Sequence, residues 1–395
     1  MKINGSIVLK KGKEVSIQRY HPWIFSGAIN SSDDTLKDGE WARIKESTGK
    51  VLGYGHYHQG TIALRVLSFG EQAPRDDFYK EKMDRCYQLR YAAGVITEQT
   101  NAYRLVHGEG DGLSGLIVDM YNGVAIVQVH SVGMYLDREL IVQALQSLYK
   151  DNLSTIYLKA PSASGDSRND GYLFGMSAIP HIIQEHGYKF YVDWETGQKT
   201  GFFLDQRENR KLLGEYSKGK SVLNTFCYTG GFSIYALQAG ASIVHSVDAS
   251  EKAIALTKRN IELNGFDNEQ HASYAIDTFE FFKDKKDQYD IIILDPPAFA
   301  KHKSAKHQAM KGYQRLNAEA FRVIKSGGII FTFSCSQVVN RQLFYDTIVS
   351  AAIQSGRQIK VLHHLSQPAD HPVYHRKVAG NENLSVRFRF QHGSR

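Results

Sequence analysis

An α/β chain is predicted: a β-rich N-terminal module, a small α+β segment, and a doubly wound parallel sheet filling the second half. Three observations carry this reading. From about residue 186, strand-like and helix-like stretches alternate, the pattern of a parallel sheet with helices on its faces. Within that half, Tyr289–Phe299 reads YDIIILDPPAF, a largely apolar run that stops at an acid and two prolines. That is how a buried parallel strand ends at its carboxyl edge, where open α/β sheets place their ligands. Finally, short β-prone runs separated by turn residues fill the first 70 positions.

The chain has 395 residues, enough for two or three domains, and 42% of them are hydrophobic, enough to bury real cores. Its three cysteines, Cys86, Cys227 and Cys335, are too far apart for a disulfide framework or a metal-ligand motif, so no metal is expected. The first residues carry Lys10, Lys11 and Lys13 but no apolar signal core, and no apolar run is long enough to span a bilayer. A cytoplasmic protein without a membrane partner is the expectation. The net charge of +7 divides into +4 over residues 1–70, −5 over 71–185 and +8 over 186–395. Two basic segments flanking an acidic one suggest that the outer two face a polyanion.

Taken in order, strands are predicted near Ser6–Leu9, Trp41–Lys45, Val51–Tyr57 and Ile62–Leu67. Between the first two lies Arg19-Tyr20-His21-Pro22-Trp23-Ile24-Phe25, which mixes a cation, aromatics and a rigid proline. Trp23 and Phe25 read as core of a small barrel, and Arg19 and His21 as candidate RNA contacts. A charged helix is expected over Phe78–Ala93, with Cys86 as a packing residue. Strands at Tyr103–Val106, Leu116–Met120 and Val124–Val129, a helix near Tyr135–Tyr149 and a strand at Thr155–Lys159 complete an α+β segment. The intervening Gly108-Glu109-Gly110-Asp111-Gly112 lacks the acid spacing of a calcium loop and reads as a hairpin connection. Domain limits of 1–72, 73–185 and 186–395 follow.

In the second half, Tyr188–Asp193 reads as a strand and Glu208–Tyr216 as a helix. Ser221–Phe226 starts the doubly wound run, followed by Cys227-Tyr228-Thr229-Gly230-Gly231 and a helix reaching Gln238. Ser242–Asp248 is the second strand, with Ser250 capping a helix that Gly265 closes. Tyr274–Ile276, Ile291–Leu294 and Ile329–Phe333 supply three more strands. Ile359–Leu365 and Leu384–Phe390 are predicted as an antiparallel finish.

The chemistry-bearing residues fall at predicted strand ends. Tyr228, Thr229, Gly230 and Gly231 would form a cofactor cradle: the glycines let a ligand approach, and the helix dipole favours an anionic group. Asp248, ending the next strand, could accept hydrogen bonds from ribose hydroxyls. Asp277 could reach an adenine amine or simply cap the following helix. The loop lacks G-x-G-x-x-G, which weakens an oxidoreductase reading. Asp295 and the Ser334-Cys335-Ser336 stretch would share the same sheet edge. Methylating carbon 5 of a pyrimidine requires a nucleophile at carbon 6, and Cys335 is suited to that role. Asp295 would hold the cytosine amine and N3, with Pro296, Pro297 and Phe299 lining the base. Cys227, by contrast, reads as packing. Lys301, Lys303, Lys306, Lys311 and Arg315, just after this strand end, are candidate phosphate contacts.

Asn224–Phe232 (NTFCYTGGF), Gly201–Arg207 (GFFLDQR), DPPAF and SCS together resemble the bacterial 23S rRNA (cytosine-5)-methyltransferase I family over the whole chain. The resemblance implies a PUA-like RNA-binding barrel at the N-terminus and a C-terminal Rossmann-like class I methyltransferase with a seven-stranded sheet. It implies S-adenosyl-L-methionine as cofactor, 23S rRNA as partner with cytosine 1962 as the usual target, and Cys335 as nucleophile. Gln206, Phe226 and Asp248 match positions that line the cofactor site in related RNA methyltransferases. The second cysteine that many RNA cytosine-5 enzymes carry after the Asp-Pro dipeptide is absent; Pro297 and Ala298 stand there. An rRNA guanine-amine methyltransferase and a non-catalytic RNA-binding assembly factor are the alternatives, and a homodimer is left open.

Overall fold

The computed structural model describes residues 1–160, 170–267, 269–300, 302–336 and 338–373. The described residues divide into two compact units: Met1–His181 with Asp193–Leu204 and 369–373, and Ile182–Val192 with Asp205–Pro368.

The first unit holds two sheets. Strands β1 (Gly5–Leu9), β2 (Trp23–Phe25), β3 (Ile29–Ser32), β4 (Trp41–Lys45), β5 (Val51–Tyr57) and β6 (Ile62–Phe69) run in the order β2-β6-β5-β4-β1-β3. A short helix, α1 (Val15–Gln18), lies between β1 and β2. Alternation along the strands points Ile7, Leu9, Ile44, Leu64 and Val66 into one core. Gly55 sits at the β5–β6 bulge, where a Cβ would stand 1.9 Å from the Arg65 carbonyl oxygen. Only glycine fits there. Phe25 departs from expectation: it is 45% exposed instead of core, because it ends a three-residue edge strand whose inward residue is Ile24.

Helix α2 (Phe78–Ala92) leads to the second sheet: β7 (Ala102–His107), β8 (Leu116–Tyr121), β9 (Val124–Val129), β10 (Thr155–Lys159) and β11 (Gly171–Phe174), ordered β11-β10-β9-β8-β7. The helix expected near Tyr135–Tyr149 is two helices, α3 (Val132–Leu136) and α4 (Arg138–Tyr149), which meet at Asp137. The glycine-rich loop does join an antiparallel β7–β8 pair. Its Asp111 accepts a two-pronged ion pair from the fully buried Arg90 (2.9 and 2.5 Å). Gly110 leaves room for the Pro372 carbonyl, which a Cβ would meet at 1.9 Å. Cys86 is buried as expected, and burial pushes its thiol up to about 12.

From Ile182 the second unit begins: β12 (His181–Glu185) pairs with β13 (Tyr188–Val192) as a two-stranded sheet. Helix α5 (Arg207–Ser217) precedes the main sheet: β14 (Ser221–Thr225), β15 (Ile243–Asp248), β16 (His271–Ala275), β17 (Ile291–Leu294) and β18 (Ile329–Thr332). Their order is β16-β15-β14-β17-β18, all pairs parallel. Helices α6 (Gly231–Gln238), α7 (Glu251–Leu263), α8 (Thr278–Phe282), α9 (Lys306–Val323) and α10 (Arg341–Ser355) connect and flank them. Every residue of β14 and β17 is buried, as a strand covered on both faces requires. The strand order reverses between β14 and β17, which opens a ligand crevice at their carboxyl ends. Among the described residues this sheet has five strands. Ile359–Leu365 forms no strand and is mostly exposed, and Leu384–Phe390 lies outside the described residues.

Within the first unit one carboxylate ties the barrel to the second sheet's helices. Asp137 accepts from Trp41 Nε1 (2.8 Å), His56 Nε2 (2.9 Å) and Tyr79 Oη (2.6 Å). Burial alone would raise its pKa, but these hydrogen bonds, led by that of His56, offset it and hold the carboxyl below its usual value. Its contribution to stability is therefore complete above the ordinary carboxylate pKa of about 4 and fades as pH falls through the lower folded value. Asp137→Ala should cost about 3 kcal/mol, because buried donors lose their acceptor. Urea midpoints measured from neutral pH down to about pH 3 check both points: the gap between wild type and variant should narrow in acid.

Candidate active site

The crevice begins where β14 stops. Of the five residues after Thr225, three have positive φ: Phe226 (54°), Tyr228 (48°) and Gly230 (77°). So strained a turn persists only if its surroundings over-determine it. Asp248, ending β15, supplies part of that: Oδ2 accepts from Tyr228 N (3.0 Å) and Oδ1 from Ser250 N (2.9 Å). From α7, Thr257 Oγ1 donates to the Tyr228 carbonyl (2.9 Å) and Asn260 Nδ2 to the buried Thr229 (2.9 Å). Phe226 is half-buried against the core of the sheet.

The glycines have a reason beyond ligand approach. A Cβ on Gly230 would meet Thr257 Cγ2 at 2.8 Å, and one on Gly231 would meet Arg210 Cδ at 3.1 Å. Cys227 is buried, its thiol pushed up chiefly by burial, and is a packing residue. Asp277 caps α8, its Oδ1 accepting from Phe279 N (2.8 Å) and Glu280 N (3.3 Å). This arrangement suits a nucleoside with an anionic or zwitterionic tail: each Asp248 oxygen keeps a lone pair to accept from a hydroxyl, and α6 starts at the turn.

Next along the edge, β17 leads to Asp295 and β18 to Cys335. The Cys335 Sγ stands 4.0 Å from Asp295 Oδ1, and the thiol-bearing residue is exposed. The other carboxylate oxygen accepts from Gln206 Nε2 (3.1 Å), whose own Oε1 accepts from Asn209 Nδ2 (2.6 Å). Gln206 and Asn209 belong to the start of α5, which is anchored by the fully buried Glu185. Arg210 donates to both Glu185 oxygens (2.8 and 2.8 Å), Arg207 forms an ion pair (3.4 Å) and Tyr235 Oη adds a hydrogen bond (2.9 Å). Burial opposes ionisation of Glu185, but the two guanidiniums outweigh it and keep the carboxyl below its usual range.

The two chemical loops are fastened to each other. Buried Tyr313, on α9, shares a hydrogen bond with Ser336 Oγ (2.9 Å), and the same oxygen accepts from Ala300 N (3.2 Å). The residue after Cys335 is thus tied to the residue after Phe299. Phe299 packs on the Tyr313 ring (centroids 4.7 Å apart) and over Gly312. Of the prolines, Pro296 is buried and does not offer a surface to a base, whereas Pro297 is exposed.

The basic residues are partly described. Lys306, Lys311 and Arg315 are exposed on α9, with the Arg315 guanidinium 4.5 Å from the Phe279 ring centroid. Lys301 and the side chain of Lys303 lie outside the described residues. Arg19 and His21 belong to the other unit. Arg19 is exposed there, and His21 Nδ1 is taken up by the Trp23 backbone amide (3.1 Å).

Sequence reasoning missed Asn209, Glu185, Tyr313 and the hydroxyl role of Ser336. The only signal for the first was its spacing, three residues beyond Gln206 and so on the same helical face.

Residues 165–386 match the model of S-adenosylmethionine-dependent methyltransferases, and residues 7–69 that of PUA-like domains. Ribosomal RNA large subunit methyltransferase I of Aeromonas hydrophila is 38% identical over 94% of this chain and 96% of its own length. The protein of that name from Shewanella amazonensis is 37% identical over 93% and 94%. The crystal structure of SMU.776 complexed with SAH is 25% identical and superposes with a TM-score of 0.80, covering 95% of this chain and 97% of that one. A match at this identity over more than nine-tenths of both chains places this one among the S-adenosylmethionine-dependent methyltransferases of the ribosomal RNA large subunit methyltransferase I family.

Proposed function

We propose that this methyltransferase modifies carbon 5 of a cytosine in 23S rRNA through a covalent adduct on Cys335. The observation that carries the reading is the thiol–carboxylate pair, 4.0 Å apart at neighbouring strand ends beside the cradle. An amine methylation needs no thiol there; carbon 5 does, because it is too weak a nucleophile until carbon 6 has been attacked.

S-adenosylmethionine, when bound, supplies an electrophilic methyl group; Asp248, the Tyr228–Gly231 turn and Asp277 are the residues to hold it. Gln206 and Phe226 border that position. Asp295 accepts a hydrogen bond from the exocyclic amine of the target base, with Pro297 and Phe299 beside it. The Cys335 thiolate adds to carbon 6, making carbon 5 enamine-like and nucleophilic towards the methyl group. Loss of the carbon-5 proton to a base and departure of the thiolate then restore the aromatic ring. The base must be unstacked to reach an edge-bound thiol, at a cost of a few kcal/mol. Lys306, Lys311 and Arg315 bind phosphates on the way to the site, and Arg19 and His21 add contacts from the PUA-like domain. An rRNA substrate also fits a cytoplasmic location.

Two results test this. Methyl transfer from labelled cofactor to unmodified 23S rRNA, followed by nucleoside analysis, should give 5-methylcytosine with wild type and nothing with Cys335→Ala. A methylated guanine, or full activity in the variant, would overturn the reading. Asp248→Ala should weaken cofactor binding by about tenfold or more, corresponding to roughly 1.4 kcal/mol for a lost charge-assisted hydrogen bond, measured by titration calorimetry.

A further inference from the structure

For Asp295 to grip the base, the plane of its carboxylate must be fixed. An ionised carboxylate only accepts hydrogen bonds, so the Gln206 group facing Asp295 Oδ2 must be its amide NH2. The Gln206 Oε1 is thereby turned the other way and needs a donor. Asn209 Nδ2 is that donor, at 2.6 Å, and both amides are buried, at 7% and 6% exposure. An amide flipped end for end would set its carbonyl against the carboxylate and its NH2 against the Asn209 NH2. The carboxylate forbids that orientation, so Asp295 determines the direction of the chain from Asn209 through Gln206.

We propose that Asn209 is a positioning residue for methyl transfer: it fixes the Gln206 amide so that one Asp295 oxygen is held and the other is presented towards Cys335. The consequence is geometric and electrostatic. Holding Oδ2 sets the rotation of the carboxylate, which leaves Oδ1 on the Cys335 side, 4.0 Å from the thiol sulfur. A donor on Oδ2 also stabilises the charged carboxylate against protonation. Asn209 itself touches neither substrate nor cofactor in this scheme. The anchoring of α5 through Arg207 and Arg210 to Glu185 keeps the residue at its depth, so its effect is transmitted through one amide.

The inference rests on Asp295 facing the reacting base, and its test is a double-mutant cycle on the full-length protein with rRNA. Single-turnover methyl transfer at saturating cofactor is measured for wild type, Asn209→Leu, Gln206→Leu and the double variant. Asn209→Leu should slow the step by about tenfold or more, while adding it to Gln206→Leu should change the rate by less than about twofold, because contacting residues in one network couple. Cofactor affinity should stay within about twofold in Asn209→Leu. Asn209→Asp keeps the shape but offers an acceptor where a donor is needed, so it should be as slow as Asn209→Leu, and the acid limb of its pH–rate profile should move to higher pH. Additive effects in the cycle, or a wild-type rate in Asn209→Asp, would overturn the proposal. Should Asn209→Leu fail to fold, as read by circular dichroism, the Asn209→Asp rate alone decides. Product identity keeps this separate from the reading above. A coupled cycle with methylated guanine as product defeats the cytosine assignment alone, and an additive cycle with 5-methylcytosine defeats only the role of Asn209.

Discussion

The parallel register of three strands is the constraint on which the rest depends. Thr225 of β14 pairs with Leu294 of β17, and Leu294 pairs with Thr332 of β18, so the three strands run out level with one another. The turn beginning at Phe226, the acid at Asp295 and the loop carrying Cys335 are then forced onto one edge although they lie far apart in sequence. A strand slipped by one residue would point its side chains to the wrong face and carry its functional residue away. Asp290 and Asp295 bracket the buried Ile291–Leu294 run, so such a slip would draw a carboxylate into it, and Pro296 prevents the strand from continuing.

Buried polar networks then set what the edge can do. Asp248 and α7 hold a turn with three positive-φ residues, and Glu185 with its two arginines holds the start of α5. Tyr313 and Ser336 fasten the loop after β18 to the loop after β17. In each case a buried group that loses its partner costs more than the bond itself is worth, so the networks act together. The Cys335 thiol and the Asp295 carboxylate are held at a defined separation by these networks.

Much of this architecture was legible because its signals are local. The apolar run before Asp295, the cap at Ser250 and the closing Gly265 are short-range patterns, and the strand and the helix they delimit are in place. What was not legible depends on partners distant in sequence. Phe25 reads as core until the edge position of its strand is known. Pro296 and Pro297 both read as lining the base, yet only Pro297 is exposed. Ile359–Leu365 has a strand's composition but forms no strand. Gly230 and Gly231 suggest ligand approach, whereas the nearest obstacles to a side chain there are Thr257 and Arg210. Asn209 carried only a helical spacing, since an amide's importance lies in which way it points.

The covalent role of Cys335 is the claim on which the account most depends, and trapping tests it most directly. Full-length protein is incubated with cofactor and 23S rRNA carrying 5-fluorocytosine, whose fluorine cannot leave as the carbon-5 proton does, and is then resolved under denaturing conditions. A protein–RNA adduct that forms with wild type, requires the cofactor and disappears in Cys335→Ala is the predicted result. Efficient formation of 5-methylcytosine on normal RNA with no trapped adduct on the fluorinated one would contradict the covalent mechanism.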